Sequence, residues 1–213
     1  MGHWHVSLGH TCFTPDQIPP PLLPEIAVAG RSNVGKSTLI NALLGTKLAH
    51  VSSAPGKTRS INFFRIRVAR TDLSFYLVDL PGYGYAKRGH EERRHWGRLI
   101  EGYVRDRSLL CLVLQLVDFR HGFLENDLMM QGWMRDLALP GQVVFTKADK
   151  IARAHHGGLC RRYAYPGMVS IYPPLVTGAA KRQGVAELGS FLEGVVLARS
   201  PRAPEGGAAG EGA

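Results

Sequence analysis

The sequence has no apolar run long enough to cross a membrane. A bilayer-spanning helix needs about 20 predominantly apolar residues, whereas the longest candidate, residues 109–117, is short and interrupted by Gln115. The segment before Pro24 lacks the apolar core of a secretory signal. Val6 also stands where an N-myristoylation motif places Ser or Thr. We therefore expect a cytoplasmic protein without membrane association.

Cysteine is scarce, and no C-x-x-C pair is present. Three widely spaced thiols predict a reducing compartment and exclude a disulfide framework: Cys12, Cys111 and Cys160. A serine hydrolase is disfavoured because no G-x-S-x-G segment occurs. Two pairs among the nine histidines could hold zinc, but no cysteine or carboxylate completes a ligand set: His3 with His5, and His155 with His156.

What the sequence does have is positive charge and alternating structure. The formal net charge of +9 favours a polyanionic partner such as nucleic acid. Strand-like and helix-like patterns alternate, which predicts an α/β fold with a mostly parallel sheet and helices on both faces. The predicted strands are 25–30, 61–68, 75–78, 109–117, 142–145 and 168–176. The predicted helices are 36–44, 91–105, 125–137, one after Asp149, and 185–197.

These six strands are expected to form one sheet, with one strand antiparallel to the rest. In the helix 125–137, Leu128, Met129 and Trp133 are expected to face the core. We predict a single domain over residues 22–198. Residues 1–21 are expected to be a flexible arm, and the Gly/Ala-rich residues 199–213 a disordered tail.

A phosphate-binding pattern, G-x-x-x-x-G-K-[ST], lies between a predicted strand and a predicted helix. Glycine lets the backbone approach phosphate closely, and the amides of residues 33–37 are expected to converge at the helix amino terminus. Lys36 would reach the β- and γ-phosphates, and the Ser37 hydroxyl would bind Mg²⁺. The predicted phosphate-binding residues are Gly30, Arg31, Ser32, Asn33, Val34, Gly35, Lys36, Ser37 and Thr38.

A second pattern, T-K-A-D, is expected to select guanine. The Asp149 carboxylate can accept two hydrogen bonds from guanine, whereas adenine offers no such pair of donors. Lys147 would lie over the base. The commoner form begins with Asn, so Thr146 is expected to lose one amide that ties this loop to the phosphate loop. The predicted base-binding residues are Thr146, Lys147, Ala148, Asp149, Thr177, Gly178 and Ala179, with the Ala179 amide bonding the guanine carbonyl.

Two further segments are expected to respond to the γ-phosphate and to Mg²⁺. Asp79 ends a predicted strand and opens D-x-x-G, so its carboxylate would hold Mg²⁺ through water and the Gly82 amide would contact the γ-phosphate. Thr58 would close over Mg²⁺ in the triphosphate state. The predicted metal ligands are Ser37, Thr58 and Asp79, and the predicted catalytic residues are Lys36, Thr58 and Gly82. The remaining nucleotide-binding positions are Pro55, Gly56, Lys57, Leu80 and Pro81.

Together these motifs resemble the EngB (YihA/YsxC) family of bacterial GTPases, which belongs with the Era and MnmE-type GTPases. The segments that carry the resemblance are 30–37, 55–59 with the following Ile-Asn-Phe-Phe, 79–87 and 146–149. The resemblance implies a P-loop GTPase fold, GTP/GDP and Mg²⁺ as ligands, and a role in assembly of the large ribosomal subunit. It also implies contact with that subunit or its rRNA, and we expect a monomer.

Many GTPases place a glutamine after the D-x-x-G glycine to orient the attacking water, and here Tyr83 stands in its place. We therefore predict slow hydrolysis that a partner or a cation completes. Asn33 resembles a potassium ligand of some relatives, so it would either bind K⁺ or only shape its loop.

The segment 87–107 follows the γ-phosphate-sensing loop and is rich in cations. It would contact RNA or would simply be a solvated helix face. Its basic residues are Lys87, Arg88, Arg93, Arg94, Arg98, Arg105 and Arg107. The alternatives to ribosome assembly are another GTPase role, in tRNA modification or signalling, and an ATP-dependent P-loop enzyme.

Overall fold

A computed structural model describes residues 4–49, 60–84, 90–105 and 107–199, with backbone alone for residues 90–93, 95 and 96. Within these ranges the chain forms seven β-strands and five α-helices. The strands are β1 Trp4–Cys12, β2 Glu25–Gly30, β3 Ile61–Val68, β4 Ser74–Asp79, β5 Leu110–Asp118, β6 Gly141–Thr146 and β7 Leu175–Val176. The helices are α1 Lys36–Leu44, α2 His90–Val104, α3 Glu125–Asp136, α4 His156–Tyr163 and α5 Val185–Arg199.

All seven strands form one sheet, in the order β1-β3-β4-β2-β5-β6-β7. β2, β4, β5, β6 and β7 are parallel, and β3 runs antiparallel to both of its neighbours. One face packs against α1 and α5 through residues such as Val28 and Phe64. The other packs against α2 and α3 through residues such as Phe63 and Tyr76. The predicted α/β class, with helices on both faces, is confirmed.

The prediction of six strands and a flexible arm was wrong at the amino terminus, because β1 adds a seventh strand. It pairs antiparallel with β3, from Trp4 opposite Val68 to Cys12 opposite Ile61. The Trp4 ring packs edge-on against Phe75 at 5.6 Å between centroids, and its Nε1 donates to Glu193 at 2.5 Å. Alternation of apolar and polar residues from Trp4 onward is the strand signal that sequence reasoning missed.

The predicted inward face of α3 was also wrong. Leu128 and Met129 are 47% and 66% exposed. The buried residues of this helix are Asp127, Met130, Gln131 and Met134, with Trp133 packed at the edge of the core. Two polar residues occupy the inner face because buried partners bond to them, a pairing that apolar periodicity does not detect.

The predicted strand 168–176 is much shorter than expected, since only Leu175 and Val176 pair with β6. Pro173 and Pro174 precede it, and proline has no backbone N–H to donate to a ladder. In the part of the chain that the structure describes, none of the helices combines the length and apolar character needed to span a bilayer. Residues 200–213 of the predicted tail lie outside the described residues.

Candidate functional site

The predicted phosphate loop joins the end of β2 to the start of α1. Gly30 ends the strand where no side chain fits, because a Cβ would lie 2.8 Å from Val34 Cγ1 and 3.1 Å from Leu116 Cβ. Asn33 and Gly35 take positive φ angles of 64° and 103°. Such residues curl the backbone so that successive amides face one concavity, which is an arrangement that can bind anions.

A buried ion pair lies beside this loop. The Lys36 ammonium contacts the Asp79 carboxylate, and the two side chains are 8% and 4% exposed. The lysine comes from the first turn of α1 and the aspartate from the end of β4, so the sheet brings together two motifs that lie 43 residues apart. Ser37 follows directly and is partly exposed.

The D-x-x-G loop packs directly on the phosphate loop. The Tyr83 amide donates to Gly30 O at 3.2 Å, and the Ser32 amide donates to Tyr83 O at 3.0 Å. A Cβ on Gly82 would lie 3.3 Å from both the amide nitrogen and Oγ of Ser32, so glycine permits this close approach. Leu80 and Pro81 are buried between these elements. Movement of one loop is therefore coupled to the other through the backbone.

The T-K-A-D loop is tied to the phosphate loop by two side chains. The Thr146 hydroxyl donates to Val34 O at 2.7 Å, and Lys147 Nζ donates to Asn33 O at 2.6 Å. We expected Thr146 to lose an amide that ties the two loops; the structure shows that the threonine hydroxyl makes a tie in its place, to the Val34 carbonyl oxygen. Thr146 is buried, so the bond is shielded from water.

The predicted segment 177–179 lies against Asp149. The Ala148 amide donates to Thr177 O at 3.0 Å, and the Thr177 amide donates to Phe145 O at 2.7 Å. A Cβ on Gly178 would lie 2.9 Å from Asp149 Cβ, so only glycine allows the approach. The Asp149 side chain is 4% exposed, with Lys150 Nζ at 3.8 Å. Ala179 opens a short 3-10 turn at this edge.

Asp118 is a site residue that sequence reasoning missed. Its carboxylate accepts hydrogen bonds from Arg120 at 2.7 and 2.9 Å and lies 2.9 Å from Lys147 Nζ. Burial raises the pKa of Asp118, but the bonds from Arg120 and Lys147 outweigh it and hold the pKa below its usual value. The sequence feature that could have identified Asp118 is its position at the end of a buried strand, at the same edge of the sheet as the other motif loops.

Comparison with known proteins agrees with this geometry. Residues 25–147 match the family described as 50S ribosome-binding GTPase. The probable GTP-binding protein EngB of Kosmotoga olearia is 44% identical over 188 residues, which cover 88% of this chain and 96% of that protein. This chain belongs to the EngB family. It is therefore a P-loop GTPase that binds guanine nucleotides and hydrolyses GTP.

Solved structures give the same fold. Aquifex aeolicus Era bound to GDP·AlF₄⁻ has a TM-score of 0.68 at 23% identity, covering 82% of this chain and 57% of that one. Era in complex with MgGDPNP and nucleotides 1506–1542 of 16S ribosomal RNA has a TM-score of 0.64 at 25% identity. That match covers 86% of this EngB chain and 60% of Era.

Tyr83 of this EngB chain belongs to a buried polar network. Its hydroxyl donates to Asp127 Oδ1 at 3.0 Å and accepts from Gln115 Nε2 at 3.1 Å. Asp127 Oδ2 accepts from the Leu124 amide at 3.0 Å and lies 3.7 Å from Arg31 Nη1. Burial, and then the neighbouring Asp127 charge, raise the pKa of Tyr83. Burial likewise raises the pKa of Asp127, outweighing its hydrogen bonds.

The predicted basic face of helix α2 is smaller than expected. Arg94 and Arg98 are exposed, and Arg105 is exposed but lies 3.0 Å from Glu101. Arg107 was wrongly placed on this face: its side chain is 6% exposed and pairs with Glu25 at 2.7 Å. Lys87, Arg88 and the side chain of Arg93 lie outside the described residues, as do Pro55, Gly56, Lys57 and Thr58.

Proposed function

We propose that this GTPase is a cytoplasmic, nucleotide-gated switch that assists assembly of the large ribosomal subunit, acting as a monomer. The observation that carries the proposal is the direct bonding of the D-x-x-G loop to the phosphate loop through Gly30, Ser32 and Tyr83. That loop leads into α2, whose exposed arginines are suited to RNA. Loss of the γ-phosphate would therefore shift the D-x-x-G loop and, with it, the exposed arginines of α2.

In this proposal the phosphate loop holds the nucleotide phosphates with its amides and with Lys36. The site suits Mg²⁺, because it offers the oxygen donors that this ion prefers: the buried Asp79 carboxylate lies against Lys36, and Ser37 follows that lysine directly in the chain. Ser37, Asp79 and Thr58 would hold the ion, which neutralises developing charge on the phosphates. The Gly82 amide would bond the γ-phosphate, and Lys36, Thr58 and Gly82 would form the catalytic set.

Guanine selection falls to Asp149. Its side chain is almost fully buried, and its described cationic neighbour is 3.8 Å away, beyond hydrogen-bond range. Such a carboxylate would favour a base with two adjacent N–H donors. Lys147 is fixed by Asp118 and Asn33, which would hold its alkyl chain over the base, and the Ala179 amide would bond the base carbonyl.

Intrinsic hydrolysis is proposed to be slow because Tyr83 does not replace the water-orienting glutamine. Its hydroxyl bonds to Asp127 and Gln115 inside the protein. Asn33 has a left-handed φ angle, which asparagine tolerates well, so loop shape is a sufficient reason for it. A K⁺ ion bound by Asn33 is the second hypothesis, and it predicts faster turnover in K⁺ than in Na⁺ buffer. Equal turnover in the two buffers rules it out.

The ribosomal part of the proposal rests on the matched family and on one neighbour. The family carries the description 50S ribosome-binding GTPase, and Era was solved with MgGDPNP and a fragment of 16S rRNA. The net charge of +9 on the present chain fits a polyanionic partner.

The test is co-sedimentation with purified ribosomal subunits, comparing a non-hydrolysable GTP analogue, GDP and no nucleotide. We expect binding to the large subunit with the GTP analogue and release with GDP. Equal binding in all three states would remove the gating. Binding to neither subunit in any state would refute the ribosomal role and leave a GTPase that acts in tRNA modification or signalling.

A further inference from the structure

The outer end of the sheet presents an exposed basic surface away from the nucleotide site. On β3, Phe64, Ile66 and Val68 are buried, while the alternate residues Arg65 and Arg67 are exposed. Alternation places both arginines on one face of the sheet, about 7 Å apart along the strand. Both side chains are exposed, and among the described residues no helix packs over them, although α2 and α3 cover the same face further along.

Strand β1 extends this surface sideways. His5 lies opposite Arg67 and Ser7 lies opposite Arg65, and both β1 residues are exposed. Directly opposed residues of an antiparallel pair share a face, so the four side chains form two adjacent rows. At the turn that follows β3, Arg70 is exposed beside an open cavity of about 520 Å³, which His5 and Arg67 also line. We call His5, Ser7, Arg65, Arg67 and Arg70 the open sheet face.

The charges of the open sheet face are not neutralised within the described part of the protein. None of its three arginines has a carboxylate of the described residues within 4.0 Å. One acidic residue, Asp72, lines the cavity, so positive charge predominates. Some arginines elsewhere in the described residues are paired, such as Arg107 with Glu25 and Arg120 with Asp118. Unpaired guanidinium groups in a flat row suit repeated phosphates better than a single small anion.

The open sheet face and α2 lie on the same side of the molecule. Arg65 and Arg67 belong to the β3 face that also carries Phe63, whose ring lies 6.0 Å from that of Tyr103 on α2. The exposed Arg94 and Arg98 of α2 therefore point to the same side of the sheet as the strand arginines.

We propose that the open sheet face binds the phosphate backbone of RNA, as a second contact beyond α2. This rests on the proposed ribosomal function and specifies its partner surface. The contact is with phosphates rather than bases, because it consists of guanidinium groups, an imidazole and a hydroxyl on a flat sheet, with no Phe, Tyr or Trp ring among its members on which bases could stack. Its affinity should therefore be insensitive to sequence and should fall steeply with salt.

The test compares the full chain with R65E/R67E, R65K/R67K and the control R161E/R162E. The control changes the same charge on α4, at two other exposed arginines. Binding to protein-free large-subunit rRNA, to poly(U) and to phosphatidylserine vesicles is measured across a salt series, with the GTP analogue bound. We expect R65E/R67E to lose about tenfold or more in affinity, and to lower the slope of log affinity against log salt by about 1.5. R65K/R67K should keep most of the affinity, and the control should change it little.

The proposal fails if R65E/R67E binds RNA as tightly as the unaltered chain does. It also fails if the control R161E/R162E loses as much affinity for RNA, because an equal loss would show that binding depends only on the net charge of the protein. It also fails if R65E/R67E loses affinity only for phosphatidylserine vesicles, which would assign the surface to a membrane. Binding of GDP and the thermal midpoint should be unchanged in all variants, which excludes misfolding as the cause. If the unaltered chain binds no ribosomal RNA at all, the proposed function fails together with this surface.

Discussion

Replacing Tyr83 with phenylalanine separates a structural role from a catalytic one. The change removes one hydroxyl that donates to Asp127 and accepts from Gln115, and it leaves the ring in place. Gln115 Nε2 keeps a bond to Asp127 O at 2.8 Å, and the Asp127 carboxylate keeps the Leu124 amide. The change thus removes the hydrogen bond that Tyr83 donates to a buried carboxylate and the one that it accepts from Gln115 Nε2. Because Gln115 Nε2 keeps its other partner, the bond to the carboxylate dominates the loss, which we expect to be about 1.5–3 kcal/mol.

For a domain of this size, that loss corresponds to a fall in the thermal midpoint of roughly 3–12 °C. Thermal and urea unfolding measure it, and Y165F is a matched control. The Tyr165 hydroxyl donates to Gln131 at 3.1 Å and is only partly buried, so its removal should cost about 1 kcal/mol or less. Single-turnover GTP hydrolysis by Y83F should be unchanged.

The opposite result would refute the reasoning. A residue that orients or deprotonates the attacking water contributes about 10²–10⁴-fold to the rate. If Y83F lost about a hundredfold in hydrolysis while its stability stayed the same, Tyr83 would be a catalytic residue. The Tyr83 hydroxyl would then have to leave Asp127 and Gln115 during GTP hydrolysis.

Two further predictions concern ties at the base loop. T146V removes the hydroxyl that donates to Val34 O, so it should weaken GDP binding about tenfold in a fluorescence titration. T146N offers an amide donor and should restore the affinity for GDP. If T146V bound GDP as tightly as the unaltered chain, the bond to Val34 O would be dispensable. Because the pKa of Asp118 lies below its usual value in the folded protein, its bonds stabilise the fold above the unfolded-state pKa and are lost as pH falls through the acid range. Urea unfolding at pH 7 and at about pH 2.5, which is below the ordinary aspartate pKa, should therefore show a smaller loss on acidification in D118N than in the unaltered chain, and identical losses would contradict the assignment.

The parts of the site that are formed by consecutive residues could be predicted from the sequence. Phosphate binding depends on a loop of consecutive residues, so Gly30, Gly35 and Lys36 could be placed from spacing and context alone. The strands that end at Gly30, Asp79 and Thr146 are parallel, and this alone brings their motifs to one edge of the sheet.

What could not be predicted depends on pairing between distant residues. Asp127 and Gln131 read as surface positions of a helix, and only contact with Tyr83 and Gln115 makes them interior. Arg107 read as part of a basic face, whereas Glu25, which is 82 residues away in the chain, pairs with it. Polar side chains carry no periodic signal of burial, so a sequence pattern cannot assign them to the core without their partners.

The most direct test of the central claim is to change which nucleotide controls binding to the large ribosomal subunit. D149N replaces the carboxylate proposed to read guanine by an amide, which suits xanthine instead. Large-subunit co-sedimentation of D149N should be supported by a non-hydrolysable xanthosine triphosphate analogue and no longer by the GTP analogue. The unaltered chain should show the reverse. If D149N still responded to the GTP analogue and ignored the xanthosine analogue, Asp149 would not read the base, and gating through this site would be contradicted.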